Sequence, residues 1–232
     1  MEKFGKSQSV LRTEDHRFLT GKGQYVDDIA PEDALFAYVF RSPVAHAEII
    51  ALDVDDARAS TGVKAVVTAA DLRSEGIVSG MAATVLQNRD GTKAAAPRRP
   101  LLAEDRLRFL GEPVAVVIAE TFHQACDATE LIILDYQELD VHLELHEGGA
   151  QIHKEAPLNR AFDWSCGAEA ATAEAFEKAA HYVRLSIADN RIIASSLEPR
   201  GCYAEWADDR LHVCVNGQGV WGTKSRLAKI LN

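Results

Sequence analysis

Residues 111–136, GEPVAVVIAETFHQACDATELIILDY, decide how the rest of the chain is read. Gly111-Glu112-Pro113 interrupts two apolar runs, and 114–119 is then an unbroken apolar, β-branched run of the kind that forms a strand buried on both faces. Thr121 and Gln124 have the spacing of a capping box, in which a hydroxyl and a side chain three residues later satisfy the first free amides of a helix. Behind them Phe122, Ala125, Cys126 and Thr129/Ile132 recur at helical spacing, which predicts a helix from Phe122 to about Leu131. Residues 131–136 return to strand character ahead of an acidic, loop-like 137–149. Strand, helix and strand in this order predict a compact unit of mixed α and β structure with mixed strand pairing.

Upstream, 34–41 and 48–54 read as two strands, the first rich in aromatic and β-branched residues, joined through Ser42-Pro43. One or two helical turns over 55–60 are stopped by Gly62, and 63–68 (VKAVVT) is a further strand. Between 74 and 100 the pattern dissolves: Asn88-Arg89-Asp90-Gly91 is turn chemistry, and Pro97-Arg98-Arg99-Pro100 suits neither a helix interior nor a central strand.

Downstream, Gly148-Gly149 coincides with a change of pattern and marks a boundary between a first domain, residues 1–147, and a second, residues 148–232. The second begins with an alanine-rich helix over 168–180 and a strand over 182–187. Residues 202–206 and 211–215 flank Asp208-Asp209 as a hairpin, and 220–231 closes with a helix carrying Val220, Leu227, Ile230 and Leu231 on one stripe. Between hairpin and helix lies Asn216-Gly217-Gln218-Gly219. A glycine on each side of an amide lets backbone and side chain approach a ligand closely, because glycine has no Cβ. Gln218, Gly217 and Gly219 are the candidate ligand-facing residues; the alternative is a loop glutamine that satisfies backbone groups. Residues 220–232 offer little with which to wall such a site, so it is expected either to be completed by another chain or not to be functional.

Composition limits the rest. A chain of 232 residues with 47% hydrophobic and 26% charged residues buries an ordinary core, and a net charge of −10 disfavours binding a nucleic-acid backbone. No run approaches the roughly 20 apolar residues of a membrane span, and the amino terminus has no apolar stretch behind its positive residues, so a cytoplasmic location is expected. Cys126, Cys166, Cys202 and Cys214 are scattered, without a CxxC pair, and are expected to be buried free thiols rather than zinc or iron-sulfur ligands. His142 and His146 stand four apart but in a segment too rich in Glu and Gly to be helical, so no metal site is assigned, and no catalytic residue either.

Several blocks, taken in order, carry more than any one of them. They are Arg12 to Gly23 with Tyr25-Val26-Asp27-Asp28-Ile29, then Arg41-Ser42-Pro43 with Ala45-His46-Ala47, then Phe109-Leu110-Gly111-Glu112-Pro113-Val114-Ala115 and Ala119-Glu120. They continue with Asp127-Ala128, Glu130-Leu131, Asp135-Tyr136, Asn190-Arg191, Glu198-Pro199-Arg200 and Gln218-Gly219. In wording and order the chain resembles the large, molybdopterin-binding subunit of the xanthine dehydrogenase, aldehyde oxidase and aerobic carbon monoxide dehydrogenase family. The resemblance implies an α+β protein, an α/β hammerhead domain followed by the opening of a molybdenum cofactor domain. It implies that Gln218 lies beside the molybdenum centre, where a neutral amide can donate to one oxygen or accept from another without the penalty of a buried charge. Relatives continue with a glycine-rich cofactor segment, further pterin-binding segments and a glutamate base. Without those, the isolated chain is expected to hold no complete molybdenum-molybdopterin cofactor and to be inactive. The function implied is that of the amino-terminal portion, or a split subunit, of a molybdenum hydroxylase, an oxidoreductase acting on an aldehyde, an N-heterocycle or carbon monoxide and needing other chains for activity. Its partners would be the remainder of that subunit and iron-sulfur and FAD subunits. The competing readings are a non-catalytic assembly module and an inactive truncated relic.

Overall fold

The structure is a computed structural model and describes residues 11–77, 80, 86–190 and 192–231; Arg191 of the Asn190-Arg191 block and the first ten residues lie outside that set. The first elements are α1 (Asp15–Leu19), α2 (Val26–Ile29), β1 (Phe36–Arg41), β2 (Ala47–Asp53), α3 (Asp55–Ala59), β3 (Val63–Thr68) and α4 (Ala69–Ser74). They are followed by β4 (Arg106–Leu107), β5 (Pro113–Ala119), α5 (Phe122–Thr129), β6 (Ile133–Glu138), α6 (Glu169–Lys178), β7 (Cys202–Ala207), β8 (Arg210–Val215) and α7 (Val220–Leu231). Two units emerge from the packing: residues 35–189 with 220–232, and residues 1–34 with 190–219.

In the larger unit β5 is the organising strand. It pairs with β1 on one side and β3 on the other, in the order β1-β5-β3, while β2 lies between β4 and β6 in a separate sheet. Every pairing among the described strands is antiparallel. The mixed pairing expected from the strand–helix–strand pattern is therefore corrected. β5 and β6 do not pair, because α5 carries the chain from one sheet to the other instead of returning it beside β5.

The reason β5 reads as a continuous apolar run is that both its faces are covered. Ala115, Val117 and Ala119 pack with Val54 and Ala57 beside α3 and with Ala125 and Ala128 of α5. Val114 faces the other way, into a cluster with Ala47, Ala103 and Leu107 that joins the second sheet. The small alanines let α5 lie close on the sheet. Burial of one valine side chain contributes about 1.5–3 kcal/mol, so the fully buried Val114 and Val117 are the strand's main anchors.

Local chemistry sets the element ends. The Gln124 amide donates to Thr121 Oγ1 at 3.2 Å, capping α5, and the Thr121 hydroxyl donates to Gln124 Oε1 at 3.0 Å. Gly62 turns the chain from α3 into β3 with φ +82°, and a Cβ there would lie 2.2 Å from Gln124 Nε2. α4 was not anticipated, yet Thr68 and Asp71 cap it reciprocally: the Asp71 amide donates to Thr68 Oγ1 at 3.3 Å and the Thr68 amide donates to Asp71 Oδ2 at 2.7 Å. At Asn88 to Gly91 the anticipated turn closes with a Gly91 N–H donated to the Asn88 carbonyl at 3.0 Å and a bridge between Gln87 and Lys93.

Two expectations fail. Residues 182–187 form no strand, since none of the described strands pairs with them, and Tyr182, Val183, Leu185 and Ile187 stand largely exposed. The cysteines are free but not buried: Cys166 and Cys202 are exposed, Cys126 and Cys214 half-buried.

Candidate functional site: the clasped Gln218 loop

The smaller unit is organised around the β7–β8 hairpin, whose strands pair in direct register from Cys202 with Val215 to Ala207 with Arg210. Asp208 and Asp209 make the two-residue connection with φ of 51° and 57°. Positive φ at both central residues is what a tight hairpin with the natural strand twist requires, and aspartate tolerates it better than most side chains. One residue past β8 the ladder ends and Asn216 takes over. Its side-chain oxygen accepts from the Gly201 N–H at 3.2 Å, its side-chain NH2 donates to the Pro199 carbonyl, and its own backbone amide donates to the Gly201 carbonyl at 3.4 Å. A single asparagine thus ties the Glu198-Pro199-Arg200 turn to the root of the loop that carries Gln218.

The same turn is held from the other side. Glu198 Oε1 accepts from the Val26 N–H at 2.9 Å, and Asp28 Oδ2 accepts from the Tyr25 N–H at 2.7 Å, so the acidic groups satisfy the first free amides of α2. Three sequence blocks separated by up to about 190 positions, around Val26, Glu198 and Gln218, therefore meet in one small framework.

On that framework Gln218 is exposed between exposed Gly217 and Gly219. No described residue donates to or accepts from its amide. A Cβ added at Gly217 or Gly219 would meet nothing within 4 Å, so packing against the described residues does not require a glycine at either position. Gly219 has φ +154°, at the edge of the region that favours glycine, where the loop turns into α7. An anchored loop that presents an uncommitted amide is able to donate and accept a hydrogen bond at once without bringing a charge.

The structure places the three sequence-derived residues together on this loop. What the sequence reading missed is Asn216, whose signal was its position immediately after the last strand residue and before Gly217, where an amide side chain replaces lost ladder bonds. Among the described residues no group of three or more His, Cys, Asp or Glu side chains is placed to hold a metal ion. His142 and His146 lie in a loop, with His142 Nε2 3.0 Å from the His146 carbonyl and the two rings edge to face.

Three of the resemblance blocks, around Ser42, His46 and Glu112, are clasps within the larger unit. Ser42 N–H donates to the Glu112 carbonyl at 2.8 Å and Gly111 N–H to the Ser42 carbonyl at 2.9 Å, joining Arg41-Ser42-Pro43 to Gly111-Glu112-Pro113. Buried His46 holds the end of β6, its Nδ1 2.6 Å from the Asp140 carbonyl and its own carbonyl accepting from Leu139 N–H at 2.9 Å. Buried Glu112 accepts from the Arg108 N–H at 2.5 Å; burial pushes its carboxyl above the usual range, against the downward pull of that amide and the Arg108 charge.

Two domain models match the sequence: the aldehyde oxidase and xanthine dehydrogenase a/b hammerhead domain over residues 20–140, and the molybdopterin cofactor-binding domain over residues 152–232. The chain belongs to the aldehyde oxidase and xanthine dehydrogenase family. It carries the hammerhead domain and the start of the molybdenum cofactor-binding domain. The nicotine 6-hydroxylase large subunit of Paenarthrobacter nicotinovorans is 38% identical over 214 residues, covering 90% of this chain and 25% of that protein. The carbon monoxide dehydrogenase large chain of Afipia carboxidovorans is 32% identical, covering 91% of this chain and 26% of that one. Among solved structures, quinoline 2-oxidoreductase from Pseudomonas putida 86 superposes with a TM-score of 0.74 at 33% identity, over 96% of this chain and 28% of its own. The chain spans about a quarter of the length of the curated relatives it matches. Those relatives are named as subunits of larger enzymes, the family's cofactor is molybdenum-molybdopterin, and no described helix is long and apolar enough to cross a membrane.

Proposed function

We propose that this chain is the amino-terminal portion of the large subunit of a molybdenum hydroxylase, and that its Gln218 loop forms one wall of the molybdenum cofactor site. In this reading residues 1–147 form the hammerhead domain with its amino-terminal segment, and residues 148–232 open the cofactor domain. The observation that carries the assignment is the Asn216 clasp. It fixes the loop at its root while the exposed Gln218 amide faces outward, flanked by Gly217 and Gly219, which place no side chain beside it.

The residues present fit such a group. When bound, the molybdenum cofactor supplies the redox chemistry, oxidising an aldehyde, an N-heterocycle or carbon monoxide. Gln218 would hold an oxygen on that cofactor by hydrogen bonding, and Gly217 and Gly219 would let it come close. The neutral amide avoids placing an unpaired ion in a site from which water is excluded. The remaining walls, the general base and the substrate pocket belong to large-subunit sequence beyond the matched quarter. Iron-sulfur and FAD subunits would carry electrons away, in the cytoplasm.

Elemental analysis tests this reading. Purified alone, the chain should contain no stoichiometric molybdenum; co-expressed with the remaining large-subunit sequence of a relative, the complex should contain it. Stoichiometric molybdenum in the chain alone, or none in the assembled complex, would overturn the assignment.

A further inference from the structure

The carboxylate of Glu198 takes the backbone amide of a residue 172 positions earlier: its Oε1 accepts the Val26 N–H at 2.9 Å. Val26 is buried and Glu198 half-buried. The local acceptor of α2, Asp28, already takes the Tyr25 N–H at 2.7 Å. Glu198 takes the next amide from outside the helix, and so ties α2 to the Glu198-Pro199-Arg200 turn. That turn is braced from within by Ser196, whose hydroxyl donates to the Glu198 carbonyl at 2.7 Å. Gly201, just past the turn, lies against α2: a Cβ built on it would stand 3.8 Å from Asp27 Oδ1 and from Val26 Cβ and Cγ1.

Pro199 and Gly201 are also the partners of Asn216. Contacts therefore run without a gap from Val26 through Glu198 and its turn to Asn216, two residues before Gln218, and all of these residues belong to the smaller unit. Asn216 holds the root of the loop no more firmly than the turn it bonds to is itself held. Among the described hydrogen bonds to that turn, the one from Val26 is the one with a charged acceptor, and such bonds are about twice as strong as neutral ones.

We infer that Glu198 is a positioning residue for Gln218: by fixing the turn to α2, its carboxylate sets where the Gln218 amide stands, without itself touching the cofactor. The inference rests on the function proposed above. It makes residues 25–29 part of the machinery that holds the cofactor-facing loop, although they lie far from that loop in sequence. If Glu198 served only to cap α2, its loss would be felt in residues 25–29 and nowhere else.

Hydrogen exchange on the full chain, without molybdenum, tests this first. Glu198→Ala should accelerate exchange at Val26 and also at Gly201 and Asn216, by about threefold or more, the effect of one lost hydrogen bond on the local opening equilibrium. Glu198→Gln keeps an acceptor oxygen and should exchange at a rate close to the parent's. Val26→Pro removes the donor and leaves Glu198 in place; proline suits the first position of a helix, and Tyr25 before it already has an extended ψ of 171°. It should reproduce the acceleration at Gly201, and it decides the question if Glu198→Ala does not fold. The second readout is turnover in the cofactor-loaded complex with the remaining portion of the Paenarthrobacter nicotinovorans nicotine 6-hydroxylase large subunit, assayed with nicotine. Per molybdenum atom, Glu198→Ala should lower kcat by about threefold or more and leave KM within about twofold, with Glu198→Gln restoring the parent rate. In a Gln218→Ala background it should cost nothing further, because both changes act on the same group. Acceleration confined to residues 25–29, or a loss from Glu198→Ala that adds in full to that from Gln218→Ala, would overturn the inference. Because exchange is read without molybdenum, failure here is separable from failure of the cofactor assignment, which is read from metal content and from Gln218→Ala alone.

Discussion

Replacing Asn216 by alanine isolates the device that holds the Gln218 loop. The substitution removes the acceptor of the Gly201 N–H and the donor to the Pro199 carbonyl but leaves the backbone bond from Asn216 to the Gly201 carbonyl intact. Each neutral hydrogen bond contributes about 0.5–1.5 kcal/mol net. Asn216 and Gly201 are both half-buried, so water re-satisfies part of what is lost, and the expected cost is about 1–2 kcal/mol, a factor of roughly 5–30 in the local opening equilibrium. Amide exchange at Gly201 and Cys202 should accelerate by that factor, while exchange at Val117 in the β5 core stays unchanged. Asn216→Asp keeps the acceptor and loses the donor, so it should show about half the free-energy effect. Unchanged exchange at Gly201 in the alanine variant would show that the loop is held by something other than Asn216.

Two further outcomes are expected. Burial raises the Glu112 carboxyl above the ordinary glutamate value of about 4.3, so its contribution to stability is fully present below that pH and is lost as pH rises through the folded value. Glu112→Gln keeps an acceptor for the Arg108 N–H and should flatten urea-unfolding stability between pH 4 and 7; a variant whose stability falls in parallel with the parent over that range would exclude Glu112 as the source. Gly62→Ala forces an L side chain to φ +82° and drives Gln124 from its place beside Thr121, so it should destabilise the larger unit by more than about 1 kcal/mol in urea titration. A neutral result there would mean the turn relaxes freely.

How much of this was legible in the sequence depends on where the information is local. β5 and α5 were readable because a β-branched run and a capping hydroxyl with helical spacing act within a few residues of themselves. The β7–β8 hairpin and α7 were readable for the same reason. α4 was missed although Thr68 and Asp71 carry its cap at the usual spacing, since the strand just before it drew the reading. Pairing was not legible: nothing in residues 131–136 announces that β6 joins β2 instead of β5. Residues 182–187 show the opposite failure. Their alternation is that of a strand, but a strand exists only when another supplies its hydrogen bonds. As for the site, Gln218 and its two glycines stood out by composition, whereas the role of Asn216 depends on Pro199 and Gly201, some 15 residues away, which only folding brings to it.

The central claim is that Gln218 serves the molybdenum cofactor and not the fold of its own loop. The most direct measurement is turnover per molybdenum atom in the assembled, cofactor-loaded complex carrying Gln218→Ala, with metal content determined on the same sample. Because no described residue engages the Gln218 amide, the variant should fold and assemble as the parent does. Loss of a hydrogen-bonding group beside a metal centre typically costs about 10–100-fold in activity or metal affinity, and a decrease of that size in turnover or molybdenum content is predicted. Turnover and molybdenum content both equal to those of the parent complex would contradict the account.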